Sequence, residues 1–126
     1  MPAIPRCDRV VLVVDDDPDI RDSLADVLKD EGYQVVTAVD GREALVKLRG
    51  AGPVPCLILL DLMMPVMSGP QFYAEKQRDP ALAQIPVVIV SADGNVRQKA
   101  ASLGSEYIAK PVRIEQVLDV LDRHCA

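Results

Sequence analysis

The sequence of 126 residues contains a single histidine, His124, and only three cysteines. His124 lies at the end of the last predicted helix, where a histidine usually faces the negative end of the helix dipole. A histidine-containing hydrolytic triad and a histidine-rich metal site are therefore disfavoured. The cysteines Cys7, Cys56 and Cys125 lack the spacing of metal ligands, and their odd number leaves one unpaired in any disulfide scheme. We therefore expect a reducing compartment, the cytoplasm.

The sequence also lacks an excess of basic residues and any long apolar run. Fourteen Lys and Arg residues face 19 Asp and Glu residues, for a net charge of −5, which disfavours binding to a nucleic-acid backbone. The longest apolar runs, at residues 10–14 and 56–60, are far shorter than the roughly 20 residues that cross a bilayer. No signal peptide precedes them. We expect no nucleic-acid partner and no membrane partner.

The residues that are present suit a packed globular protein. Hydrophobic residues make up 49% of the chain and charged residues 26%, which argues against disorder. We expect residues 1–126 to form one domain, because a chain of this length supports a single core.

Strand-like and helix-like segments alternate along the chain. Apolar and β-branched runs predict strands at residues 9–14, 33–38, 56–60, 86–90 and 107–109. The first helix is predicted to begin with the cap and proline pair Asp17 and Pro18 and to end at Gly32. The other helices are predicted to follow Asp40, to begin at Pro70, and to cover residues 96–104 and 114–121. Five strand–helix units predict an α/β fold, a doubly wound five-stranded parallel sheet with helices on both faces.

Polar side chains directly follow four of the five predicted strands. They are Asp15 and Asp16 after the first, Asp61 after the third, Ser91 after the fourth and Lys110 after the fifth. Each alone has a simple explanation: a helix cap, a turn residue, a loop hydroxyl or a surface lysine. The carboxyl ends of parallel strands share one edge of the sheet, however, and ligands bind there. We therefore expect these side chains to converge.

Convergence of three carboxylates has a chemical consequence. At 4 to 5 Å they repel by roughly 3 to 4 kcal/mol per pair at an effective dielectric constant near 20, so a cation or a proton is needed. Oxygen ligands alone favour Mg²⁺ or Mn²⁺ over zinc. A divalent cation, the lysine Lys110 and the hydroxyl of Ser91 are also the groups that hold a phosphoryl group. Asp61 is the natural nucleophile because it ends a central strand, which predicts phosphoryl capture on a carboxylate.

Four segments, VVDDDPDI, LILLDLMMPVMSG, VSA and YIAKP, occur in this order between about Arg9 and His124. Together they resemble the receiver domain of two-component response regulators. The resemblance implies a flavodoxin-like sheet with strand order 2-1-3-4-5. It also implies a phosphoryl group received from a histidine kinase or a histidine phosphotransfer protein, and a partner-binding surface that switches toward a downstream protein target.

The resemblance assigns a role to each matching residue. Asp61 corresponds to the phosphoacceptor, Asp16 to a direct Mg²⁺ ligand and Asp15 to a ligand acting through water. The backbone carbonyl of Met63 would supply another metal ligand.

The remaining matches concern the phosphoryl group and the switch. Lys110 corresponds to the lysine that pairs with the phosphoryl group, and its bond to Pro111 would be cis. Ser91 and Tyr107 correspond to the switch hydroxyl and the switch aromatic. The simpler explanation of Tyr107 is a half-buried strand tyrosine.

The sequence departs from the family pattern in two places. The stretch from Ser91 to Lys110 is a few residues shorter than usual, so we expect the fourth helix to be short or displaced. This shortening questions the usual output face formed by the fourth helix, fifth strand and fifth helix. Val112 stands where a phenylalanine is common, which should change packing and not chemistry.

Three functions other than a phosphorylated receiver share parts of this pattern. A receiver-like module that binds partners without being phosphorylated is one alternative. An aspartate-nucleophile phosphatase of the haloacid dehalogenase type is disfavoured, because Met63 replaces the second aspartate that would protonate a leaving group. A flavodoxin is disfavoured because no phosphate-binding loop follows the first strand. We expect no enzyme activity beyond the protein's own phosphorylation and dephosphorylation. We expect either a stand-alone regulator or a receiver that is part of a longer protein, and Met1 favours the first.

Overall fold

The computed structural model describes residues 9–50 and 52–125. Strands and helices alternate throughout. The strands are β1 (Val10–Val14), β2 (Gln34–Ala38), β3 (Leu57–Leu60), β4 (Val87–Ser91) and β5 (Glu106–Ala109). The helices are α1 (Pro18–Asp30), α2 (Gly41–Leu48), α3 (Gly69–Arg78), α4 (Val96–Leu103) and α5 (Ile114–Cys125). All pairings are parallel and the strand order is β2-β1-β3-β4-β5, which confirms the predicted fold and strand order.

Local signals in the sequence determine where the helices begin and end. The carboxylate of Asp17 accepts a hydrogen bond from the Asp19 amide at the start of α1, and Asp40 accepts one from the Glu43 amide at the start of α2. Ser68 and Gln71 form a reciprocal capping box at the start of α3. Each cap satisfies an amide that the helix itself leaves without a partner.

The helices cover both faces of the sheet. Alternate residues of the strands pack against α1 and α5 on one face, in a core that includes Val11, Leu28, Leu59 and Val120. The intervening residues pack against α2 and α3 on the other face, around Phe72. Central strands covered on both sides explain why β1 and β3 are continuous apolar runs in the sequence. None of the helices within the described residues is long and apolar enough to cross a membrane.

The two departures from the family pattern concern α4 and Val112. Helix α4 has only eight residues, so the expectation of a short fourth helix is correct. Gly104 follows as its C-cap with a φ of 71°, a left-handed backbone conformation that favours glycine. Val112 is partly buried against the core between α1 and α5.

The end of α5 lies beyond the apolar positions that predicted the helix. Those positions end at residue 121, and the helix continues through His124 as far as Cys125. In its last turn His124 contacts the carboxylate of Glu106 at 2.8 Å, so a side-chain partner on β5 holds it, where the sequence suggested only the helix dipole. Arg123 also pairs with Glu106. Burial raises the pKa of Glu106, but the bonds from His124 and Arg123 outweigh burial and leave this pKa below its usual value.

Two of the three cysteines are paired, although the sequence favoured a reducing compartment. Cys56 and Cys125 form a disulfide, with their Cα atoms 5.5 Å apart. An odd number of cysteines requires only that one be left over, and it does not prevent the other two from pairing. Cys7 lies outside the described residues.

Candidate functional site

The register of the sheet brings the predicted site residues to one edge. Val14 of β1 pairs with Leu60 of β3, so Asp15 and Asp61 follow neighbouring strands at the same level. In β4 and β5, the strands beyond β3 in the sheet, Ser91 pairs with Ala109, and Lys110 follows Ala109 directly. The Asp61 amide donates to the Val14 carbonyl at 2.9 Å, which extends the sheet ladder to the site itself.

Asp15 accepts three hydrogen bonds, two on its carboxylate and one on its backbone carbonyl. It is 2% exposed. Its Oδ1 accepts from the Asp17 amide at 2.9 Å, and its Oδ2 accepts from Lys110 Nζ at 2.9 Å. Arg21 donates to the Asp15 backbone carbonyl at 2.8 Å. Arg21 is a positioning residue that our sequence analysis missed, because no local pattern links it to a carbonyl six residues earlier.

Asp15, Asp16 and Asp61 form an acidic cluster. Each offers a carboxylate oxygen, and these oxygens all lie within 4.8 Å of one another. Asp15 and Asp61 are buried, whereas Asp16 is exposed. Burial and the neighbouring Asp15 carboxylate raise the pKa of Asp61 from its usual 3.8 to about 6, against the opposing effects of Lys110 and of the Met63 and Leu62 amides. The cluster therefore carries negative charge that a cation would stabilise.

Lys110 supplies the positive charge of the site. Its side chain is 15% exposed and reaches from the end of β5 to Asp15, with Nζ also 3.9 Å from Asp61 Oδ1. The bond between Lys110 and Pro111 is cis, as the sequence resemblance predicted. The ammonium group lies between the two buried carboxylates and nearer to Asp15.

The loop after β3 approaches the site closely at Gly69. The Gly69 amide donates to the Leu62 carbonyl at 3.0 Å. A Cβ atom at Gly69 would collide with the Asp61 carbonyl oxygen and lie 2.8 Å from Leu62 Cα. Only glycine allows this approach, so Gly69 positions the backbone around Asp61. The side chain of Met63, in the same loop, is 65% exposed.

Ser91 lies at the end of β4 and is buried. Its Oγ accepts a hydrogen bond from the Asp93 amide at 3.1 Å. Asp93 pairs with Lys99 of α4, and this bond is the main reason that the pKa of Asp93 lies below its usual value. The hydroxyl is thus held at the start of the connection to α4.

Tyr107 lies apart from the acidic cluster. It pairs with Ile89 near the beginning of β5, the edge strand, and it is 41% exposed. In this position the ring is neither buried like a core residue nor in contact with the carboxylates.

The donor set fits a hard divalent cation. Three carboxylates and one ammonium leave two negative charges in excess, and the cluster contains neither thiolate nor imidazole. Oxygen ligands of this kind suit Mg²⁺ or Mn²⁺. The exposed carboxylate of Asp16 leaves the cluster open to solvent, which suits Mg²⁺ because this ion retains several waters.

Comparison with known proteins agrees with the fold and the site. Residues 11–122 match the response regulator receiver domain family. Protein PilG of Pseudomonas aeruginosa is 35% identical over 117 residues, which cover 90% of this chain and 85% of PilG. Several other curated relatives are longer, and the chain spans 45–46% of their length.

Solved structures give the same result. Chemotaxis protein CheY4 of Vibrio cholerae superposes with a TM-score of 0.81 at 33% identity, over 92% of this chain and 98% of CheY4. Response regulator TrrA of Thermotoga maritima, solved in complex with Mg²⁺ and BeF, has a TM-score of 0.78 at 29% identity, over 91% of this chain and 97% of TrrA. The chain belongs to the response regulator receiver family. It is a CheY-like receiver domain, and its acidic cluster is consistent with a Mg²⁺-binding phosphoacceptor site.

Proposed function

We propose that the protein accepts a phosphoryl group on Asp61 from a histidine kinase or a histidine phosphotransfer protein. The observation that carries this proposal is the position of Asp61, whose carboxylate lies within 4.8 Å of the acidic pair and 3.9 Å from Lys110 Nζ. A carboxylate oxygen of Asp61 attacks phosphorus in line, and the donor nitrogen or oxygen leaves with its electron pair. The product is an acyl phosphate.

The residues around Asp61 support this reaction. Asp16 is assigned as a direct Mg²⁺ ligand and Asp15 as one acting through water, since both oxygens of Asp15 already accept hydrogen bonds. Asp61 and the Met63 carbonyl complete the protein's ligand set. Bound Mg²⁺, or Mn²⁺, would neutralise charge on the phosphoryl oxygens. Lys110, whose Nζ lies near both Asp15 and Asp61, would balance the remaining charge.

Phosphorylation is proposed to act as a switch. A phosphoryl group on Asp61 offers new acceptor oxygens to Lys110 and to the hydroxyl of Ser91, which now accepts from the Asp93 amide. Movement of Ser91 would free space toward β5 and change the position of the exposed Tyr107. Such a change shifts a two-state equilibrium at a partner-binding surface.

The setting of this function is part of the proposal. We place the protein in the cytoplasm as a single receiver domain over residues 1–126, without nucleic-acid or membrane partners. It would catalyse only its own phosphorylation and dephosphorylation, as one step of a phosphorelay toward a downstream protein target.

The direct test is labelling by acetyl phosphate in the presence of Mg²⁺, with intact mass as the readout. We expect the wild type to gain one phosphoryl group and Asp61→Asn to gain none. Asp26→Asn changes an exposed aspartate of α1 and should be labelled like the wild type. Undiminished labelling of Asp61→Asn would refute the assignment. A wild type that neither becomes labelled nor binds Mg²⁺ would favour the unphosphorylated interaction module.

A further inference from the structure

A disulfide connects the beginning of β3 to the end of α5, away from the phosphoacceptor site. Cys56 directly precedes β3, the strand that ends at Asp61, and Cys125 is the last residue of α5. Their Cα atoms are 5.5 Å apart, within the usual range for disulfides. Both residues are partly buried against the core between α1 and α5. The disulfide therefore bonds the C-terminal end of α5 covalently to the residue that precedes the central strand β3.

The same backbone also suits Cys56 in its reduced form. The Cys56 amide donates to the Val10 carbonyl at 2.8 Å, so the sheet ladder holds Cys56 whatever its oxidation state. Cys56 Sγ lies 3.4 Å from the same carbonyl oxygen, which can accept a hydrogen bond from a thiol. Reduction thus leaves Cys56 in place with an acceptor already beside it.

We propose that Cys56 and Cys125 are a redox modification site that regulates this receiver. The proposal rests on the proposed cytoplasmic function, because disulfides in that compartment are usually transient and redox-sensing, whereas structural disulfides belong to oxidising compartments. The co-reactant is a low-molecular-weight disulfide such as oxidised glutathione. One cysteine thiolate attacks it to form a mixed disulfide and release one thiol. The second cysteine thiolate then attacks the mixed disulfide, forming the Cys56–Cys125 bond and releasing the second thiol.

Contacts next to Cys125 link its oxidation state to β5. Arg123 and His124, the two residues before Cys125, both bind the Glu106 carboxylate at the beginning of β5. The same strand carries Tyr107 and leads to Lys110. Oxidation restricts the last turn of α5. Through the contacts with Glu106 it would also restrict β5, the strand that carries the switch residue Tyr107. Reduction leaves that turn held by the non-covalent contacts with Glu106 and without the covalent bond, so it should open more readily.

The first experiment compares the oxidised and reduced wild type without any phosphoryl donor. Oxidised glutathione should remove two titratable thiols and yield a cross-linked peptide containing Cys56 and Cys125. Closure of a loop of 69 residues should raise Tm by on the order of 10 °C relative to protein kept in dithiothreitol. Amide hydrogen exchange in the last turn of α5 and in β5 should be slower in the oxidised protein.

Cysteine variants assign these effects to the pair. Cys56→Ser and Cys125→Ser should each lose the shift in Tm and in exchange, while Cys7→Ser, the matched control, should keep both. Asp61→Asn should also keep both, which separates this proposal from the phosphoacceptor assignment. Three free thiols after oxidation, a cross-link that includes Cys7, or equal hydrogen exchange in the two redox states would overturn the proposal.

Discussion

Asp61 is the residue whose protonation links the site to stability. Its pKa of about 6 exceeds its usual value of 3.8, so between these values the folded protein binds more protons than the unfolded chain. Its contribution to stability is therefore fully present below about pH 4 and is lost as pH rises through about 6. We expect Asp61→Asn, studied in chelator, to be more stable than the wild type by roughly 2 to 3 kcal/mol at about pH 7.5.

Chemical denaturation at several pH values tests this expectation. The stability gain of Asp61→Asn should disappear at about pH 3, below both pKa values, where both states of the wild type carry the proton. Asp26→Asn, at an exposed position, should show no comparable pH dependence. A gain for Asp61→Asn that is the same at both pH values would contradict the assigned electrostatics.

Met63 is the second residue with a separable effect. It lies two positions after Asp61, and its exposed thioether side chain cannot orient a water molecule for attack on an acyl phosphate. The resemblance to response regulator receivers implies that Met63 and Asp93 flank the path of that water, so we predict a long-lived phosphoryl form. Met63→Asn should speed its decay by roughly 3- to 10-fold, the effect of about one hydrogen bond.

The decay measurement needs a control from the same loop. Val66 is 74% exposed and lies three residues further along. Val66→Asn adds the same amide to the loop and should leave the decay rate unchanged. An unaltered rate for Met63→Asn, followed by loss of phosphorylated mass over time, would remove the role proposed for Met63.

At the scale of elements, the connection between β3 and α3 depends on one glycine. Gly69→Ala would place a methyl group against the backbone of Asp61 and Leu62, which cannot move without breaking the β1–β3 ladder. We expect a loss of at least about 2 kcal/mol in the free energy of unfolding and weaker Mg²⁺ binding. Gly94→Ala, where a Cβ meets no atom within 4 Å, is the matched control. Equal denaturation midpoints for the two variants would exclude the proposed packing constraint.

The order and type of the elements could be predicted because their signals are local. Caps such as Asp17 and terminal glycines such as Gly104 act within one turn of the chain, and apolar runs indicate strands covered on both faces. The apolar positions of α5 end at residue 121, and periodicity alone does not reveal Glu106, the tertiary partner that holds the last turn.

The candidate site could be predicted for a different reason. Parallel strands force their carboxyl ends to one edge, so the order of the elements is enough to bring Asp15, Asp61 and Lys110 together. Contacts that depend on side-chain reach were missed. Arg21 binds a backbone carbonyl across a turn, and Lys76 is buried with its ammonium donating to Gln77 Oε1 and the Ala83 carbonyl. No short-range pattern marks either contact.

At the scale of the whole molecule, a divalent cation should couple the site to global stability. The acidic cluster joins β1 to β3, so an ion bound there favours the folded chain over the unfolded one. Mg²⁺ at about 100 times its dissociation constant should stabilise the wild type by about 2.7 kcal/mol. Asp16→Asn should lose most of this gain, and Asp22→Asn, an exposed residue of α1, should retain it. A chelator should abolish the gain, and equal Mg²⁺ responses of the two variants would count against the ligand assignment.

The bond between Cys56 and Cys125 also divides the chain into a covalent ring and an open arm. Asp61, Ser91 and Lys110 lie within the ring, whereas Asp15 and Asp16 lie on the arm that precedes it. Separation of the segment before Cys56 from the rest of the fold would remove both of these aspartates from the site. Asp61, Ser91 and Lys110 would remain together within the covalently closed loop. In the oxidised protein, assembly of the complete cation-binding cluster therefore depends on non-covalent pairing of β1 with β3.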